Sequence, residues 1–175
     1  MCPVALSDRK GRGRLLLPEH CGWARLVTEV QNGDSVIDVS VEILDDYLDS
    51  VEANRPIAFL KCDVEGHETA VFRGATRLLT MDRPVLLFES APLMHVPKNG
   101  HPPFEFLKAL GYEGYFFCDS ELVPIECYSS AEHVLTNQVI QNYVFLHPTT
   151  ASLVKDRFPY RVQHNPAISI LRRAA

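Results

Sequence analysis

The chain has 175 residues, 46% of them hydrophobic and 22% charged, and a formal net charge of −5. That length suits one domain with a sizeable core, and the acidic balance argues against a dedicated nucleic-acid binder, whose footprint is basic. No apolar stretch approaches the roughly 20 residues that span a bilayer, and Met1 to Asp8 lack the basic and long apolar regions of a signal peptide, so the expectation is a cytoplasmic domain engaging neither nucleic acid nor membrane.

In chain order, Arg9 to Gly13 reads as a charged turn and Arg14 to Pro18 as a short strand. The spacing Gly11-x-Gly13 invites a phosphate-loop interpretation, but no strand-to-helix context surrounds it and arginines fill its gaps, so a hairpin turn is preferred. Trp23, the only tryptophan, either stacks on a ligand or caps the core. Ile37, Val39, Val41 and Ile43 alternate with Asp38, Ser40 and Glu42, the period of a half-buried strand, and a small β excursion is expected from 12 to 43. Leu44, Tyr47, Leu48 and Val51 then recur at helical spacing, ending by Pro56.

Ile57 to Leu60 is a short apolar run that reads as a strand buried on both faces. Acids follow at Asp63, Glu65 and Glu68, with Gly66 and His67 among them. Val71, Ala75, Leu78 and Leu79 recur along one face of a helix, which Met81-Asp82-Arg83-Pro84 stops. A second apolar run, Val85 to Phe88, ends in Glu89. Asp63 and Glu89 therefore stand at the carboxyl ends of neighbouring strands, where open α/β sheets hold ligands. Residues 90–101, rich in proline and glycine, form a loop that carries His95 and His101. Pro102-Pro103 starts a helix that Gly111 caps. Tyr112 to Cys118 is a strand, Asp119-Ser120 turns it, and Leu122 to Ile125 returns as an edge, where Pro124 is tolerated. Asn142 to His147 is the last clear strand. Thr149 or Thr150 can cap a short helix to about Phe158, and 161–175 is a solvated tail. Five cysteines without a Cys-x-x-Cys pair indicate neither a disulfide framework nor a zinc site; Cys62 and Cys118 read as small core residues.

Leu60-Lys61-Cys62-Asp63-Val64-Glu65-Gly66-His67-Glu68, then Val71-Phe72-Arg73-Gly74-Ala75, then Arg83-Pro84-Val85-Leu86-Leu87-Phe88-Glu89, resembles the signature of FkbM-type methyltransferases. The resemblance implies a Rossmann-like class I methyltransferase sheet and S-adenosylmethionine-dependent transfer of a methyl group, generally to oxygen, on a small-molecule or glycan hydroxyl acceptor. In that family Val4 to Asp8 corresponds to the segment after the third strand, and Cys21 to Leu26 to a loop over the active site. The glycine-rich cofactor turn would precede Val4 and is not found in this sequence. The expectation is thus an α/β fold truncated at the N-terminus: a partial FkbM-like domain over 1–160, then the tail. A catalytically incompetent fragment or binding module lacking the cofactor half is the alternative.

Methyl transfer needs an acceptor held in line and a base if a hydroxyl must lose its proton. Asp63 and Glu89 are the candidates for orienting the acceptor or a divalent ion, since hard ions take oxygen ligands. No third ligand is identifiable from spacing, so no metal site is assigned. For Glu65 a helix cap is preferred to a catalytic role; Asp63 could also cap the helix, but a functional role is preferred for it. His67, four residues before Val71 on the apolar helix face, is either a satisfied core group or the proton acceptor, for which its titration range is suited; His95 and His101 compete for that role. Lys61 is placed to pair with one of the acids. Finally, the run from Ile57 to Leu60 would lie beside the missing strand and present an open edge, so self-association or a partner chain is expected there.

Overall fold

The computed structural model describes residues 3–17, 24–27, 29–90, 102–118, 121–128 and 142–152. Among the described residues, two sheets and four short helices make a mixed α/β fold. The first half supplies β1 (Val4–Ser7), β2 (Gly11–Leu16), β3 (Arg25–Val27) and β4 (Val36–Ile43), in the order β1-β4-β2-β3. β1 runs parallel to β4, while β2 is antiparallel to both β4 and β3. The excursion expected from 12 to 43 is therefore a sheet that also takes in β1. The hairpin turn expected around Gly11 and Gly13 is not formed: both glycines lie within β2, and β1 and β2 flank β4 without pairing. Gly13 lies where the space beside the strand is taken. A Cβ there would stand 2.9 Å from a Val41 methyl and 3.0 Å from a Leu26 methyl.

The second half gives α1 (Leu44–Ser50), β5 (Phe59–Cys62), α2 (Glu68–Arg73), α3 (Thr76–Met81), β6 (Val85–Glu89), α4 (Pro102–Ala109), β7 (Glu113–Cys118), β8 (Glu121–Pro124), a 3-10 turn (Ile125–Cys127) and β9 (Asn142–Leu146). The strands form a five-stranded sheet in the order β5-β6-β9-β7-β8. β5 and β6 are parallel, and β9 inserts antiparallel between β6 and β7. β8 with Pro124 is at one edge, as expected. Alternation sorts this sheet's side chains: Leu86, Phe88, Phe116, Tyr143 and Phe145 face the helices, while Val85, Leu87, Tyr115, Val144 and Leu146 point the other way. On the helix side the rings pack edge-on or tilted. Phe88 lies 5.1 Å from Phe72 and 5.4 Å from Phe145, and Phe104 lies 4.7 Å from Tyr143. Offsets of this kind suit the ring quadrupoles. Cys62 belongs to this core, as expected; the Cys118 side chain, the helix beyond residue 152 and the tail lie outside the described residues.

Two expectations fail here. The run from Ile57 to Leu60 is not buried on both faces. β5 is the other edge of the sheet, and Phe59, on the face away from the helices, is 53% exposed. The single helix expected up to Met81 is broken into α2 and α3 at Gly74-Ala75. Gly74 is pressed against β1: a Cβ on it would sit 2.1 Å from the Ser7 carbonyl oxygen. Its own carbonyl is taken by the Asp45 amide at 3.0 Å. The Asp45 carboxylate then accepts from the Arg77 and Leu78 amides at 2.7 and 2.8 Å, capping α3 from another element. These bonds tie the small sheet, α1 and the α2–α3 junction into one body.

Candidate functional site

The chain leaves β5 at Cys62 and turns into α2 over five residues, Asp63 to His67. Glu65 and Gly66 both take left-handed backbone conformations, at φ of +52° and +93°, and the His67 amide closes the turn on the Val64 carbonyl at 3.3 Å. Two consecutive left-handed residues are a feature of tight turns that glycine suits and glutamate does not. Glu65 does not cap α2, nor does Asp63: the helix start has no side-chain cap. The acid that serves the turn is Glu68, whose Oε1 accepts from the Gly66 amide at 2.9 Å.

Glu68 is only 3% exposed and was not among the candidates. It lies three and four residues before Val71 and Phe72, both buried, so helical periodicity alone places it on the inner face. Its carboxylate and that of Asp63 act on Cys62. Burial, with these two acids, pushes the Cys62 thiol up to about 12, which keeps it protonated and unreactive as a nucleophile.

His67 stands at the N-terminal boundary of α2 rather than on its apolar face. Its Nε2 is 2.9 Å from Ser7 Oγ, across 60 residues of sequence. Ser7 is itself buried at the end of β1. Ser7, Glu65, Gly66 and His67 line one side of an open cleft of about 770 Å³, whose other side is the β2–β3 end of the small sheet. His67 also lines a smaller, apolar cleft of about 400 Å³, with Val4, Ala5, Leu15, Ile37 and Val64 among others.

Asp63 and Glu89 do stand at the carboxyl ends of adjacent parallel strands, one step beyond the paired Cys62 and Phe88. Asp63 is half exposed and makes the expected pair with Lys61, at 3.1 Å. Neither acid is among the residues lining the two clefts. Among the described residues no group of three histidine, cysteine or acidic side chains could hold a metal ion. Trp23, His95 and His101 lie outside the described residues. No helix among the described residues is long and apolar enough to cross a membrane.

The strand, acid-rich turn, broken helix and second strand that build this site fall within a match to a family of known proteins. Residues 7–114, more than half of the chain, match the Methyltransferase FkbM domain. No curated protein and no solved structure matches the chain. The resemblance carried by the segment from Leu60 to Glu89 is thereby extended back to Ser7 and forward into β7, and the chain belongs to the FkbM methyltransferase family.

Proposed function

We propose that this chain serves S-adenosylmethionine-dependent methyl transfer to a hydroxyl group, and that its described residues form the acceptor side of that reaction. In this reading the five-stranded sheet is the second half of a Rossmann-like sheet. The observation that carries it is the Ser7–His67 pair on the rim of a polar cleft, in a member of the FkbM family.

S-adenosylmethionine supplies the methyl group in such a reaction. Such a cofactor calls for a carboxylate toward its ribose hydroxyls beside an apolar surface for its base. The apolar cleft next to Val64 is lined by no carboxylate, so the described residues do not fit the cofactor there, and no step is routed through it. What this chain's own residues do is hold the acceptor and move its proton. His67 in its neutral form accepts a hydrogen bond at one ring nitrogen and donates at the other. Ser7 Oγ donates to Asp8 Oδ1 at 3.2 Å and lies 2.9 Å from His67 Nε2, so an acceptor hydroxyl brought to the free imidazole nitrogen meets a side chain able to take its proton. Asp63 and Glu89 stand at the sheet's carboxyl edge but line neither cleft, so orienting an acceptor at His67 is not assigned to them.

Calorimetric titration of the purified chain with S-adenosylmethionine tests the proposal. Micromolar binding supports it; no binding at millimolar cofactor overturns it and leaves a binding module. Where methylation of a hydroxyl is found, His67→Ala is expected to lower the rate by about a hundredfold or more, as loss of a general base does. An unchanged rate would remove His67 from the role.

A further inference from the structure

Strand register gives the small sheet two unlike sides. Leu15 of β2 faces Leu26 of β3 and Ile37 of β4, Gly13 faces Val39, and Val41 faces both Gly11 and Ala5. Residues two apart along a strand share a side, and so do paired residues across strands. One side therefore carries Leu15, Leu26, Ile37, Val39 and Val41 together with Ser7, while Arg12 and Arg14 project from the other. Gly13 adds no bulk to the apolar side. A Cβ on it would stand 2.9 Å from a Val41 methyl and 3.0 Å from a Leu26 methyl, so these methyls close the floor over the glycine.

This side is the floor of the cleft of about 400 Å³, which Val64 and His67, from the turn after β5, also line. Ile37 is 46% exposed, and Leu15, Leu26, Val39 and Val64 are half-buried, so apolar surface is left open. Among the described residues no charged side chain lines the cleft, and His67 is its one polar side chain. His67 Nε2 meets Ser7 Oγ, whose own proton goes to Asp8, and the ring has no other hydrogen-bond partner among the described residues. One ring nitrogen is thus left to accept a hydrogen bond. Ten of the described residues line the cleft, against roughly 20–30 a side in a protein interface, and its volume lies within the roughly 300–1,000 Å³ of small-molecule sites. The occupant must be uncharged, because a charge set against these residues would lose its hydration and gain no partner. A phenol meets these demands. Its flat ring covers a sheet face, and its hydroxyl, with an ordinary pKa of about 10, stays protonated near neutrality and donates to the imidazole. An aliphatic hydroxyl holds its proton far more tightly, so a phenol is also the acceptor from which a lone histidine most readily takes one.

We infer that the apolar cleft binds a small uncharged phenol, its ring on Leu15, Ile37 and Val39 and its hydroxyl on the free nitrogen of His67. Taking that phenol as the methyl acceptor rests on the methyl-transfer reading above; the binding site itself does not.

Methyl-resolved NMR titration of the full chain, without S-adenosylmethionine, tests it with 4-ethylphenol, ethylbenzene and glucose as probes. 4-Ethylphenol is expected to shift the methyl signals of Leu15, Ile37 and Val39 saturably, with a Kd at or below about 1 mM, as suits so small a ligand. Ethylbenzene, which lacks the hydroxyl, should bind at least about threefold more weakly, as loss of one hydrogen bond does, and glucose should not bind. Ile37→Glu sets a carboxylate in the cleft at an exposed position and should weaken 4-ethylphenol more than about tenfold. An unchanged thermal melt confirms that this variant folds; should it not, the three probes on the wild type decide alone. Met81→Lys, at a position 71% exposed and outside the cleft, should leave binding unchanged. The inference is overturned if no saturable shift occurs, if ethylbenzene or glucose binds as tightly as 4-ethylphenol, or if a folded Ile37→Glu binds like the wild type. An equal loss in Met81→Lys overturns it as well. So does movement of the same signals on dilution of the chain alone, which would put a second copy on this face. A chain that binds 4-ethylphenol but not S-adenosylmethionine keeps the site and loses the methyl-transfer reading; the converse result does the opposite.

Discussion

At the scale of single residues, the contact that matters most is made by a residue with no side chain. Gly74 lets the end of α2 rest on the carbonyl of Ser7, and Ser7 in turn meets His67. A methyl group at Gly74 would overlap backbone, which cannot swing away as a flexible side chain can. Gly74→Ala is expected to cost more than about 2 kcal/mol, toward the upper end for overpacking, read as a lower urea midpoint with an unchanged slope. A loss below about 0.5 kcal/mol, the range of neutral surface substitutions, would mean that β1 is not held against α2. Asp82 is a second such point. Its carboxylate takes two hydrogen bonds from the Arg55 Nε and one from Nη2, at 2.7 to 3.2 Å, and one from the Ile57 amide at 2.8 Å. Burial by itself would push the Asp82 carboxyl up, but these donors outweigh it and hold it below its ordinary value. A carboxyl depressed on folding contributes stability that is complete above its unfolded value of about 4 and is lost as pH falls through the lower folded value. Asp82→Asn should therefore flatten the acid limb of stability measured below about pH 4. An acid limb of the same steepness in both proteins would exclude this pair as its source.

At the scale of elements, α3 depends on a cap it does not carry. Its N-terminal boundary, Ala75, has no side chain able to cap, and six residues are too few for a helix to stand on its own propensity. Asp45, in the first turn of α1, satisfies two of its free amides, and Arg77 returns a hydrogen bond to the Asp45 carbonyl at 2.8 Å and pairs with Asp49 at 2.6 Å. Asp45→Ala is expected to cost about 1 kcal/mol, in the range of lost N-caps. Hydrogen exchange should localise the loss to α3. Uniform exchange changes across the sheet would show that Asp45 supports the fold in some other way.

At the scale of the whole molecule, β5 pairs only with β6 among the described residues. Its outer edge carries free backbone groups, and Phe59 lies exposed beside it. Such an edge is a template for another strand, and an edge that pairs antiparallel with its own copy about a twofold axis is self-complementary. The chain is expected to associate with a second copy along β5, and Phe59→Lys to shift it toward monomer, read by light scattering coupled to size exclusion. A sharp monomer at tens of micromolar in the wild type would exclude the contact.

Short-range features were readable from the sequence alone because they depend on neighbours within a few residues. The apolar runs from Ile57 to Leu60 and from Val85 to Phe88, which fall in or beside β5 and β6, the Lys61–Asp63 pair and the FkbM signature were all legible in this way. Periodicity would also have exposed Glu68 as a buried acid had it been followed one turn back from Phe72. Other features required the tertiary structure because their partners are distant in sequence. Gly74 meets Ser7, Asp45 caps Arg77 and Leu78, and β1 pairs with β4 across the intervening β2 and β3. For Glu65 the sequence suggested a cap, since acids favour helix starts; the fold instead bends it into a left-handed turn and gives the turn to Glu68. Local pattern thus determined most of the strands and the family to which the chain belongs, though not β1, nor β3, which falls in the expected loop. The open edge at β5 agrees with the expectation from the family resemblance, while packing between distant segments decided where the helix breaks. It also decided that His67 meets Ser7 over a cleft lined with arginines, since hydrogen bonding and excluded volume act between groups that only the folded chain brings together.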